Sequence, residues 1–206
     1  KDNSHDFRAD ERSFRKMKSE ISIEQANTLT RKFIVLPVLL SAAVVFVLFY
    51  GRFDFSFAES AKHIGFWPWM LRYAGWVTAF IAAVAAGIFI HEGIHGLFIA
   101  MFARGGFSSL SFGYDKKTMS PYAHSEVPLR VWQMTVVCLS PLFFMGILPF
   151  AAALYYGSLF IYLFSVVFII TAGGDIIYAR LLLKVPLRTF VEDLPDSVGF
   201  RTMERQ

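Results

Sequence analysis

The stretch Ile81-Ala-Ala-Val-Ala-Ala-Gly-Ile-Phe-Ile-His91-Glu92-Gly93-Ile94-His95-Gly96-Leu-Phe-Ile-Ala-Met-Phe102 is an apolar run interrupted by three polar side chains. Its length predicts a membrane-crossing helix, because about 20 residues rising 1.5 Å each cover the hydrocarbon core. An ionised side chain at that depth costs about 2.5–3.5 kcal/mol on insertion scales, so such groups mark function. His91 and His95 are four residues apart, share one helix face, and in that geometry hold one ion together. Glu92 lies one step around the helix, beside the ion, where a general base for an activated water belongs. Gly87, Gly93 and Gly96 predict close approach by a neighbouring helix. The bland alternative is a polar cluster that hydrogen-bonds between helices without a metal.

Working outward, the whole chain fits a bilayer. Its 206 residues are 55% hydrophobic and 17% charged, with 23 Phe, and the mean hydropathy is +0.49. A soluble domain rarely has this balance. The net charge of +4 is modest and does not call for nucleic acid; basic residues in such a chain mark cytoplasmic loops. The single Cys138 excludes an internal disulfide framework and a Cys-rich metal site. The polar first 30 residues show no cleavable signal segment. Four apolar segments, at residues 33–50, 75–103, 131–156 and 159–183, are long enough to span. The last two are separated only by Gly157-Ser158 and predict an antiparallel helical hairpin. Residues 1–32 form a polar segment, 33–183 the membrane domain, and 184–206 a tail. Ser22-Ile-Glu-Gln25 has the form of a capping box, so a helix starts at Ser22 or the segment is a solvated tail. Lys and Arg crowd both ends and the 104–130 loop, which predicts a multi-pass protein of the cytoplasmic membrane with both termini cytoplasmic. The aromatic 51–74 loop then faces outward at the membrane interface. The expectation is an all-α integral membrane protein of about four transmembrane helices.

One interruption is expected on the cytoplasmic side, between the second and third helices. Leu110, Phe112 and Tyr114 alternate with Ser111 and Gly113, Asp115-Lys-Lys-Thr118 reads as a turn, and Met119–Glu126 as a returning strand. The alternatives are a short β-hairpin and an irregular loop.

Catalytic zinc takes three protein ligands and leaves one position open. Asp175 is the only acidic residue in a predicted span apart from Glu92, and it follows Ala172-Gly173-Gly174. The second and fourth segments run in the same direction. His91 and His95 lie ~12–18 Å from the cytoplasmic end of theirs, and Asp175 ~12 Å from the end of its own. That depth match makes Asp175 the candidate third ligand, with the Gly pair expected at the helix contact. His124 and Glu126, two apart on the returning strand, compete as ligands, or stand beside the metal to aid an oxyanion or a substrate carbonyl. Pro141 and Pro149 free backbone carbonyls in the third span and kink it, which opens a path for water.

His91-Glu-Gly-Ile-His95, Pro121-Tyr-Ala-His124 with Glu126-Val-Pro-Leu129, Pro141, Ala172-Gly-Gly-Asp175 and Val191-Glu-Asp-Leu-Pro195 together resemble a bacterial family of zincin-type membrane peptidases, formerly a domain of unknown function. The likeness covers most of residues 75–200 and is broadly similar to the site-2 proteases. It implies an integral-membrane zinc metallopeptidase with His91, His95 and Asp175 as ligands and Glu92 as base. The aspartate of site-2 proteases precedes a glycine and follows an Asn–Pro motif; here the glycines come first and Ile176 follows. The function expected is hydrolysis of membrane-protein or peptide substrates within the bilayer, an unwound substrate segment adding to the 107–126 hairpin as a strand. The rival is a zinc-holding membrane scaffold or sensor without turnover.

Overall fold

A computed structural model describes residues 14–115, 120–194 and 198–205. His5, most of the expected 115–118 turn and Pro195 lie outside the described residues. The chain is mostly helical. Strand β1 (Phe14–Ile21) leads into α1 (Ile23–Thr30), a wide π turn (Arg31–Val35) and α2 (Leu36–Leu48). The capping box is present: Ser22 Oγ accepts from Gln25 N–H at 3.1 Å, and Gln25 Oε1 accepts from Ser22 N–H at 3.2 Å. The helix so started runs on as one rod, Glu24–Leu48.

Short helices α3 (Ser56–Glu59) and α4 (Ala61–Ile64) precede α5 (Phe66–Phe102), which carries the His–Glu–His cluster. Helix α5 begins nine residues before the expected 75. Gly65, at φ +82°, ends the preceding helix, and nothing after it stops the next. Trp67, Trp69 and Tyr73, expected in an interfacial loop, therefore occupy the first turns of α5. Trp69 and Tyr73 stack one turn apart with centroids at 5.7 Å. The expected hairpin is there, as β2 (Leu110–Asp115) antiparallel to β3 (Ser120–Ser125), pairing Ser111 with His124 and Phe112 with Ala123.

After β4 (Leu129–Arg130), the third span is α6 (Val131–Pro141), a second π segment (Leu142–Ile147) and α7 (Leu148–Tyr156). Proline cannot donate to the carbonyl four residues back, and widening the turn accommodates this. Pro37 and Pro149 each sit just past such a turn. Gly157, at φ +70°, reverses the chain, and Ser158 caps α8 (Leu159–Thr171). The fourth segment is not one straight rod. It bends by 42° at Ala172 into α9 (Gly173–Leu182), which carries Asp175 near its start. Three of these helices are long and apolar enough to cross a membrane, four if the bent pair is one span.

The chain ends in β5 (Phe190–Asp193) and β6 (Val198–Arg205). These complete an antiparallel sheet of order β1-β6-β5-β4. Residues 14–21, ahead of the helix start at Ser22, are not a solvated tail: they pair with β6 over eight positions, Phe14 with Arg205 through Ile21 with Val198. The all-α expectation is corrected here. The sheet pays its ordering cost by burying Leu129, Val191 and Phe200 against Val131, Ala179 and Leu182 of α6 and α9. A second core lies at the opposite end of the helices, where Phe53, Ala153, Tyr162 and Val166 are enclosed by Phe46, Phe49 and Phe150.

Close approach by a neighbouring helix holds at one of the three expected glycines, Gly87; at Gly96 it is the hairpin that comes close. A Cβ on Gly87 would overlap the ring of Phe168 on α8, and one on Gly96 would fall 2.7 Å from the Phe112 ring of the hairpin. Gly93 faces no neighbour within 4 Å. The Gly pair before Asp175 does not meet α5: Gly173 abuts Thr30 and Ile34, and Gly174 meets nothing within 4 Å.

Candidate metal centre

His91 and His95 project from one face of α5 and are both buried. Their Nε2 atoms are 3.2 Å apart. The 42° bend at Ala172 starts a new helix whose first turn delivers Asp175 to the same point. Asp175 Oδ2 is 3.1 Å from His91 Nε2, and Oδ1 is 3.4 Å from His95 Nε2. Glu92 is looser. One ligand atom from each of His91, Glu92 and His95 lies within 4.8 Å of the other two.

Hydrogen bonding sets what these atoms offer. His95 Nδ1 donates to the Val137 carbonyl of α6 at 2.9 Å, so in the neutral ring Nε2 carries the lone pair. That lone pair faces an acidic side chain that, ionised, only accepts, and a second imidazole. Atoms of this kind, brought together from two imidazoles and a carboxylate, are those that bind a metal cation. The spacing fits such an ion. Around tetrahedral zinc, with bonds of about 2.0–2.2 Å, neighbouring ligand atoms lie about 3.3–3.6 Å apart. The two Nε2 atoms are 3.2 Å apart, and the Asp175 carboxylate reaches them through different oxygens, Oδ2 at 3.1 Å and Oδ1 at 3.4 Å. His91 lacks the anchor that His95 has: its Nδ1 is buried with no partner among the described residues.

Glu92 is turned toward the hairpin. Its Oε2 accepts the Ala123 N–H of β3 at 3.1 Å, which leaves the other oxygen free of that bond. The contact was not legible from the sequence, which singled out His124 and Glu126 on this strand. The structure keeps both of them out of the cluster. Glu126 is exposed, and its backbone N–H donates to Ser109 O at 2.9 Å. His124 Nδ1 lies 3.3 Å from Asp193 Oδ2 of β5. Asp193 Oδ1 also accepts from the Tyr178 hydroxyl and from Leu194 N–H, each at 3.0 Å. The hydrogen bond to Asp193 raises the His124 pKa above its ordinary value, against partial burial, and the charges of Asp193, Glu126 and Glu192 add to it. Asp193 thereby ties hairpin, terminal sheet and α9 together, one turn beyond Asp175. Its only sequence signal was its place in Val191–Pro195.

With this geometry in view, the comparisons fall into place. Residues 84–190, just over half of the chain, match the family described as "Putative zincin peptidase". The chain belongs to that family. The description names metallopeptidase chemistry and implies zinc, and the matched segment contains His91, Glu92, His95 and Asp175. The comparison with curated proteins and that with solved structures each gave no match.

Proposed function

We propose that the protein is a membrane-embedded zinc endopeptidase that cuts peptide bonds in other membrane proteins. The observation that carries this is the triangle of His91 Nε2, His95 Nε2 and the Asp175 carboxylate, with edges of 3.1–3.4 Å. These three groups would hold the ion, and Glu92 stands beside them as the base. When bound, Zn2+ supplies an acidified water and polarises the scissile carbonyl. Glu92 takes a proton from the attacking water with the oxygen not engaged by Ala123. As the water oxygen bonds to the carbonyl carbon and the C–N bond breaks, Glu92 passes that proton to the leaving amine. The bilayer would be crossed by the four apolar segments, with both termini in the cytoplasm; the pairing of β1 with β6 supports their lying on one side. The substrate would be an unwound membrane segment running along the hairpin, an arrangement similar to that of site-2 proteases.

The test compares cells producing the wild-type protein with cells producing Glu92→Gln. New peptide termini in membrane proteins that appear only with the wild type support proteolysis. Identical termini in the two, with zinc bound in both purified proteins, would favour a zinc-holding scaffold or sensor.

A further inference from the structure

An α-helix interior has no spare carbonyl, because each is taken by the N–H four residues on. The Val137 carbonyl in α6 is an exception with a cause. Its helical donor would be residue 141, which is Pro141 and has no N–H. The next N–H, from Leu142, goes to Leu139 O instead. Two side chains take the vacated place: His95 Nδ1 at 2.9 Å and Ser140 Oγ at 2.8 Å. Pro141 itself is fully buried, so no water competes for the carbonyl from its side.

We propose that Pro141 is a positioning residue for His95. By withholding a backbone donor it reserves the Val137 carbonyl for the imidazole, which fixes the ring's angle and places its hydrogen on Nδ1. Nε2 is then left as a lone pair aimed at His91 and Asp175. A buried outer partner of this kind is worth about 10–100-fold in metal affinity. The proposal rests on the reading of His95 as a ligand, but its first consequence, the tautomer, exists without metal. Pro149 lies in the same span and serves as a control: its missing donor would have gone to Met145, which contributes nothing to the cluster.

The experiment uses the full chain in detergent micelles with 15N-labelled histidine. The His95 tautomer is read from ring 15N shifts in metal-free protein, and zinc affinity from competition with a chelator, for wild type, Pro141→Ala and Pro149→Ala. The expected result is an Nδ1–H tautomer in wild type and Pro149→Ala. In Pro141→Ala that preference is lost, and zinc binds about 10–100-fold more weakly. Unchanged tautomer and affinity in Pro141→Ala would overturn the proposal, as would equal losses in both proline variants. If Pro141→Ala does not fold, the wild-type tautomer alone decides: hydrogen on Nε2 contradicts the proposal. If wild type shows the Nδ1–H form, Pro141→Ala alone loses it, and wild type binds no zinc, the positioning stands and the metalloprotease reading fails.

Discussion

At the end of the helices formed by α2, α7 and α8, aromatic rings pack on one another. Phe46 and Phe53 stack at 5.4 Å, Phe53 meets Tyr162 edge-on at 5.0 Å, and the Tyr162 hydroxyl donates to the Ala42 carbonyl. At the end formed by α5, α6 and α9, the Nε2 atoms of two histidines and the oxygens of an aspartate converge at 3.1–3.4 Å, and His91 Nδ1 is buried with no partner among the described residues. The aromatic end is complete as a chain of amino acids. The other end carries side chains of the kind that can hold a metal ion. Ring packing and apolar burial hold the frame.

That contrast can be broken at several points. The largest effect belongs to Glu92→Gln, which removes the base and leaves the ligand triangle intact. Cleavage should fall by about 10²–10⁴-fold with zinc content unchanged, measured on one purified preparation. At the opposite end, Phe53→Ala should do the reverse. Emptying that buried site should cost about 3 kcal/mol of stability in a detergent unfolding titration while bound zinc stays at the wild-type level. Loss of zinc in Phe53→Ala would mean that the two ends are not independent.

The smallest effect is pH-dependent. The His124 pKa is raised by Asp193, with Glu192 and Glu126 also facing it. A raised pKa stabilises fully below the ordinary histidine value and ceases to do so as pH rises through the folded one. Going from about pH 6 to about pH 9 should therefore loosen the contact of hairpin with terminal sheet, seen as faster amide exchange in β3 after correction for intrinsic rates. Asp193→Asn should flatten this dependence, and exchange around Phe53 should not follow it.

Much of this was legible in the sequence because it was local or periodic. The His91–His95 spacing fixes a shared helix face, Ser22 and Gln25 announce a helix start, and the alternation from Leu110 to Tyr114 announces a strand. The depth argument pointed to Asp175 beside the two histidines, and the bend at Ala172 does not move it away from them. What stayed hidden depends on pairing distant segments. Phe14 meets Arg205, and nothing in a short polar stretch declares a partner at the other end of the chain. Asp193 and the Ala123 N–H were missed for the same reason: each acts through a contact between elements far apart in sequence. Pro141 was visible, but the donor that uses its freed carbonyl, His95, sits on another helix.

The most direct test of the central claim is metal analysis by mass spectrometry of the purified wild-type protein and Asp175→Ala. A three-ligand zinc site predicts about one zinc per chain in the wild type and a small fraction of that in Asp175→Ala. Wild-type zinc content and affinity retained in Asp175→Ala would contradict it, and would move the third ligand away from the bend at Ala172.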